Sequence, residues 1–293
     1  MAAPQPIGKS RWLDQGVRLL IAVLVWAPPV LLIVLPLAGF LAYSVFAMDN
    51  GEIVHRFTLG NYIRFFSDTV FLPLFIRTCL LAAGVGVITL LIAYPVALLL
   101  WSLEGRTKYL LLLLFVIPLL MSYILKIFSI RAILGGKGYL NELLMALGLI
   151  SEPTPYLLFN LTAVFLTLSV ILFPFTLLPL FVTLERIPKT LLEASADLGG
   201  ASWLTLRRIV LPLSWPGAVI GASFTFVLAL GDFVTPQMVG GPTGLTFGRV
   251  VYSQFGLAYN WPFGSALAVI LMLAVLAALA LAARIGRVQG GAP

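Results

Sequence analysis

The sequence EASADLGGASWLTLRRIVLP occupies residues 193–212 and forms a charged interval between two long apolar segments. Before Gly199, apolar and small residues recur at helical spacing, which predicts a short helix that starts at Pro188. Gly199 and Gly200 accept the left-handed backbone conformation that closes a helix without a Cβ penalty. A corner made by these two glycines is therefore predicted.

A second short helix is predicted after the corner. Ser202 can cap its N-terminus, the helix runs through Arg208, and Pro212 ends it. Small side chains beside the corner leave a low surface that a partner's backbone can approach, and the acidic side chains around it can pair with basic residues. We interpret the two helices as a docking element. Its predicted partner-facing residues are Glu193, Ala194, Ser195, Asp197, Leu198 and Gly199.

The composition is that of a polytopic membrane protein. Of the 293 residues, 61% are hydrophobic and 10% are charged, and the mean hydropathy is +1.08. One cysteine, Cys79, and one histidine, His55, argue against disulfides, metal sites and His-based catalysis, so neither a metal nor an enzymatic activity is expected. The net charge of +7 comes from basic pairs between apolar runs, so the expected partner is the lipid bilayer and not nucleic acid.

Apolar runs of about twenty residues are needed to cross a bilayer, and the chain contains six. They lie near Leu19–Met48, Leu72–Leu100, Tyr109–Ile130, Leu157–Leu184, Leu213–Val239 and Phe263–Ala283. Prolines inside several of these spans favour broken helices that line a cavity, with simple kinking as the alternative. Lys and Arg are more frequent in the loops on one side, which places both termini and residues 193–212 in the cytoplasm.

In residues 193–212, Glu-Ala-Ser is followed after three residues by Gly, after nine more by Ile, and after one more by Leu-Pro. This spacing resembles the EAA loop of the permease subunits of type I, binding-protein-dependent ABC importers. The match is carried by Glu193, Ala194, Gly199, Ile209, Leu211 and Pro212, with Ser195 at the third small position. Four other segments are similar to permeases of the spermidine/putrescine type. These are Asn61-Tyr62, the glycine-rich turn from Gly135 to Leu144, Gly231 to Pro236, and Trp261 to Gly264.

The resemblance implies an all-α fold of six transmembrane helices with a cytoplasmic coupling helix. Residues 1–76 would form an N-terminal tail, an extra helix and an outer loop. Residues 77–283 would form the shared permease core, with the coupling loop at 185–212. Residues 284–293 would form a cytoplasmic tail. The implied setting is the bacterial inner membrane. The implied partners are a second permease subunit, expected to differ from this one, two cytosolic ATPase subunits that bind ATP and Mg, and a periplasmic binding protein.

No cofactor is expected in this chain itself. Gly8-Lys9-Ser10 ends like a phosphate-binding loop, but Ala3 stands where the first glycine of that motif belongs. By resemblance, the chain forms half of a path for a small solute, with a polyamine such as spermidine or putrescine as the first choice. Ferric ion, an aminophosphonate or an opine are alternative cargoes. A secondary carrier is the alternative class, but it would need ionisable groups in both halves of a repeat.

Asp232 is the most costly residue of the sequence if it lies at membrane depth. It is predicted to attract a cationic cargo or brace the external gate through hydrogen bonds, or else to cap a half-helix as an N-cap before Phe233, and both kinds of role can hold together. Lys126 is also costly there, with snorkelling toward the interface as its alternative. Aromatic rings can hold an alkylammonium by cation–π contact, although most aromatic residues serve packing. The predicted pathway residues are Asp232, Tyr123, Phe224, Phe226, Phe233 and Trp261.

Overall fold

The structure is a computed structural model and describes residues 15–154 and 157–290. The first half contains α1 (Gln15–Pro29), α2 (Leu35–Ser44), β1 (Phe46–Asp49), β2 (Glu52–Phe57), α3 (Gly60–Ser67), α4 (Phe71–Ser102), α5 (Gly105–Leu120), α6 (Tyr123–Leu134) and α7 (Tyr139–Ala146). The second half contains α8 (Leu161–Glu185), α9 (Lys189–Asp197), α10 (Ser202–Thr205), α11 (Leu211–Gly231), α12 (Val234–Val239), α13 (Phe247–Gly256) and α14 (Trp261–Gly290). The segment Gly8-Lys9-Ser10 lies outside the described residues.

Five helical segments of the described chain are long and apolar enough to cross a membrane. They are Leu20–Ser44, Phe71–Ser102, Leu161–Glu185, Ser202–Gly231 and Trp261–Gly286. A sixth span is broken, because Gly105–Leu120 and Tyr123–Ala146 meet at an angle of 102°. The six predicted spans are confirmed if this bent pair counts as one. The predicted fifth span, Leu213–Val239, was wrong at both ends, since the helix starts earlier and stops at Gly231.

The centre of the bundle is formed by α4, α8 and α11. One apolar cluster joins Ala97, Leu180 and Ala218, and a second joins Val85, Leu168 and Leu230. The first cluster lies toward the end of the bundle that carries α9 and α10, which we call the loop end. The second lies toward the opposite, hairpin end. Accordingly, α4 and α8 run in the same direction, while α11 runs against them.

Three threonines lie between these two clusters. The Thr176 hydroxyl is 2.6 Å from the Thr225 hydroxyl and 3.1 Å from that of Thr89, and all three residues are fully buried. At this level Gly221 brings the α11 backbone against α8, since a Cβ added to Gly221 would lie 2.7 Å from the Thr176 carbonyl oxygen. The central helices are thus joined by hydrogen bonds at a close backbone crossing, as small residues permit in membrane bundles.

The first span lies at the periphery of the bundle, where α2 packs against α14 and Phe40 meets Phe255 edge to face at 5.7 Å. It leads into the β1–β2 hairpin, which the all-α prediction missed. The Asn61 amide donates hydrogen bonds to the carbonyls of Ser44 and Phe46 at 3.0 and 2.9 Å, and so connects α3 to the hairpin. This loop is an ordered cap on the hairpin end.

Two predictions about the second helix of the interval were wrong. Ser202 is its first helical residue and makes no capping hydrogen bond, since Ala201 is the N-cap. Pro212 does not end the helix, because a π-helical turn, Leu206–Val210, carries the chain from α10 directly into α11. The wider turn accommodates a proline without a break in the helix. The turn Val30–Val34 precedes Pro36 in the same way.

Candidate functional site

The glycine corner predicted between α9 and α10 is present at the loop end. Gly199 has a φ of +72°. Its N–H donates to the Ala196 carbonyl at 2.9 Å, and the N–H of Gly200 donates to the Ser195 carbonyl at 2.8 Å. This pair of bonds is the Schellman motif, which satisfies the last carbonyls of a helix. Gly200 is required for a different reason, because an added Cβ would lie 2.7 Å from the Ser195 carbonyl oxygen.

The predicted docking residues are mostly free to meet a partner. Glu193, Ala194, Asp197, Leu198 and Gly199 are all exposed. Ser195 is half-buried instead, because its hydroxyl lies 2.7 Å from the Thr205 hydroxyl and holds the two short helices together.

Two apolar side chains stand out on this corner. Leu198 is 90% exposed and Trp203 is 69% exposed, although both belong to a charged interval between apolar spans. Large aromatic side chains are frequent anchors of protein interfaces. Trp203 was absent from the predicted docking residues, and its place directly after the glycine corner was the signal available in the sequence.

A charged hollow of about 720 Å3 lies beside the corner, lined by the start of α5 and by α9. Lys108 pairs with Glu185 at 2.7 Å, and Lys189 of α9 pairs with Glu104 at 3.3 Å. The second pair is almost fully exposed, so it contributes little to stability. These contacts bring the loop between α4 and α5 next to Glu193.

At the hairpin end, α11 stops at Gly231 and the chain turns at Asp232 into the short helix α12. The Asp232 carboxylate accepts a hydrogen bond from the N–H of Val234 at 3.1 Å and from that of Thr235 at 3.3 Å. Asp232 therefore caps the start of α12 as predicted, although the N-cap residue itself is Phe233 and the bonds come from Val234 and Thr235, one and two residues beyond it. A carboxylate at the start of a helix is also favoured by the helix dipole.

Asp232 opens onto a cavity of about 560 Å3. Tyr123 and Lys126, from the first turn of α6, line the same cavity, and the Tyr123 hydroxyl lies 2.9 Å from that of Thr235. The Lys126 ammonium nitrogen lies 5.4 Å from the centre of the Tyr123 ring. The other lining residues are Leu119, Leu172, Phe175, Val227, Leu228, Gly231 and Phe233. One carboxylate, one ammonium and three aromatic rings thus meet in an apolar cavity.

Of the predicted pathway residues, Asp232, Tyr123 and Phe233 line this cavity, and the other three do not. Phe224 lies about two helical turns before Gly231 and borders a hollow against α14. Phe226 packs into the central core and faces a hollow between α4, α11 and α14. Trp261 begins α14 and meets the Phe255 ring at 5.4 Å. Helical rotation and chain position separate these rings from Asp232.

Known transport proteins are similar to this chain in sequence. No family model matches the chain. The chain is 34% identical over 245 residues to the spermidine/putrescine transport system permease protein PotB of Escherichia coli (strain K12). The aligned region covers 83% of this chain and 88% of PotB. The chain belongs to the ABC transporter permease family of PotB. It is also 34% identical to the inner membrane ABC transporter permease protein YdcU of the same strain, over 85% of this chain and 81% of YdcU.

Solved structures of ABC importers share the fold of this permease. A bacterial alginate ABC transporter, solved in complex with an alginate-bound periplasmic protein, matches with a TM-score of 0.75 at 14% identity over 92% of this chain and 93% of that one. The MetNI methionine ABC transporter matches with a TM-score of 0.56 at 19% identity, over 76% of this chain and 99% of the other. The expected type I importer fold and the multi-pass membrane location are confirmed, and the chain is a transport component.

Proposed function

We propose that this permease subunit forms half of the path of an ATP-driven importer for polyamines such as spermidine and putrescine. The observation that carries the proposal is the Asp232 cavity, found in a chain that is 34% identical to PotB along most of its length. A carboxylate and aromatic faces in one cavity suit an alkylammonium cargo, since each attracts a cation.

The other half of the path belongs to a second permease subunit of similar fold. Residues 185–212 form the coupling loop, which lies in the cytoplasm with both termini. Two ATPase subunits bind ATP and Mg there, so the chain itself needs no cofactor. Leu198 and Trp203 suit this role, because exposed apolar anchors on a rigid corner lose little entropy when a partner covers them.

The hairpin end faces the periplasm in this arrangement and receives the cargo from a binding protein. The ordered cap made by the β1–β2 hairpin and α3 supports this assignment, since a receptor needs a fixed surface. Residues 77–283 act as the permease core, with residues 1–76 as the added first span and outer loop and residues 284–293 as the tail.

Reconstitution tests the proposal. The chain, its second permease and the ATPase are placed in proteoliposomes with the binding protein, and uptake of labelled putrescine and spermidine is measured with and without ATP. We expect ATP-dependent uptake of at least one polyamine. Uptake of both at the background rate, in vesicles whose ATPase is active, would refute the polyamine assignment. Polyamine uptake by this chain alone would refute the partner assignment.

A further inference from the structure

The cavity at Asp232 contains one charged group that the polyamine proposal does not use. Lys126 enters it because the third span breaks at Met121 and Ser122, so that Lys126 falls in the first turn of α6. In the described part of the chain, no carboxylate lies within ion-pair distance of the Lys126 ammonium. The residue is half-buried, and its nitrogen is 5.4 Å from the Tyr123 ring centre. An ammonium without a carboxylate partner is costly in a largely apolar cavity.

The groups around Lys126 are the same groups that a cargo ammonium needs. Asp232 uses its oxygens to cap α12 and also accepts hydrogen bonds from the Tyr123 and Thr235 side chains, so it attracts a cation through its charge and not through free lone pairs. The Tyr123 ring is already partnered by Lys126 in cation–π geometry. The remaining walls, among them Leu172 and Phe175, offer no acceptor side chain. A cationic cargo and Lys126 therefore compete for the Tyr123 ring, in a cavity that Asp232 also lines.

We infer that Lys126 sets the affinity of the cavity: its ammonium is a tethered competitor that occupies the face of the Tyr123 ring and keeps the cavity's hold on a cationic cargo weak. The inference rests on the proposed cationic cargo. Two ammonium groups in an apolar cavity repel each other, so the cargo displaces Lys126 on entry and is displaced by it on release. A path must bind its cargo weakly enough to let it go, which gives the competition a use.

The test measures cation binding directly. The complex of this chain with its second permease and ATPase is purified without the binding protein, and its affinity for labelled putrescine is measured by equilibrium dialysis. The variants are Lys126→Met, with Lys126→Gln as a second neutral form, and Lys126→Arg, which keeps the charge. Lys137→Met is the matched control, because Lys137 is exposed and lies outside the cavity.

We expect Lys126→Met to bind putrescine about tenfold more tightly than the native complex, because a like charge and a rival for the ring are both removed. Lys126→Arg and Lys137→Met should match the native complex within about twofold, the scatter usual for single contacts. Lys126→Met combined with Asp232→Asn should bind putrescine more weakly than Lys126→Met alone, because the cavity has then lost the carboxylate that attracts the cation. In proteoliposomes, Lys126→Met should lower the maximal uptake rate, because release becomes slower.

Equal or weaker putrescine binding by both neutral variants, in complexes that assemble normally, would overturn the inference. Binding by the double variant as tight as that by Lys126→Met alone would also overturn it, since putrescine would then bind away from the Asp232 cavity. Failure of the polyamine assignment has a different signature. In that case native vesicles take up neither polyamine, while Lys126→Met still binds putrescine more tightly as a simple dication.

Discussion

Replacement of Gly200 by alanine should damage coupling without damage to the membrane bundle. The added Cβ would lie 2.6 Å from the Ser195 hydroxyl oxygen and 2.7 Å from the Ser195 carbonyl oxygen. The Ser195 carbonyl oxygen accepts the Gly200 N–H at 2.8 Å, and the Ser195 hydroxyl lies 2.7 Å from the Thr205 hydroxyl. Relief of the clash must weaken both hydrogen bonds, so we expect the corner to lose about 2–4 kcal/mol.

Gly199→Ala perturbs the same corner by another route. Gly199 has a φ of +72° and open space around the position of a Cβ, so the cost is backbone strain alone, about 1–2 kcal/mol. Gly148→Ala is the matched control, because Gly148 has a φ of +71°, equally open space and a place far from the corner in the chain, after α7. We expect the loss of coupling to be largest for Gly200→Ala, smaller for Gly199→Ala and smallest for Gly148→Ala.

The assay is the ratio of cargo uptake to ATP hydrolysis in proteoliposomes that contain the complete importer. We expect this ratio to fall at least threefold for Gly200→Ala, while the amount of inserted chain stays at the native level. A native ratio for Gly200→Ala would refute the idea that the corner transmits the ATPase's movement. An equal loss for Gly148→Ala would show that general destabilisation, and not the corner, is responsible.

Much of the fold followed from local patterns in the sequence. The six spans depend on apolar length alone, and the corner at Gly199 depends on a residue that tolerates positive φ. The place of the helix ends was harder, because Pro212 predicts a stop unless a π-helical turn precedes it. That turn leads into α11, whose packing against α4 and α8 no local pattern encodes.

The candidate cavity was predictable only in part. Asp232 was identified by its cost in a membrane and by the glycine before it. Tyr123 and Phe233 were predicted from their chemistry, but the contact of Tyr123 with Thr235 was not, because the two residues are 112 positions apart and meet only through the break in the third span. The aromatic residues Phe224 and Phe226 had the right chemistry, but the rotation of α11 that turns them toward other hollows required the tertiary structure.

Two further predictions concern the cavity and the central crossing. Asp232→Asn keeps an oxygen that can cap α12 and should lower polyamine uptake several-fold with assembly intact, whereas Asp232→Ala should also destabilise the chain by about 1 kcal/mol in thermal denaturation. Gly221→Val should lower the thermal stability of the purified chain by about 2–4 kcal/mol. The added Cβ would lie 2.7 Å from the Thr176 carbonyl oxygen, so α8 and α11 must separate. This separation also breaks the 2.6 Å contact between the Thr176 and Thr225 hydroxyls. The control is Gly39→Val in the first span, where an added Cβ meets nothing within 4 Å, and its stability should stay near the native value. Equal losses for the two valine variants would mean that helix propensity, and not the close crossing of α8 and α11, sets the cost.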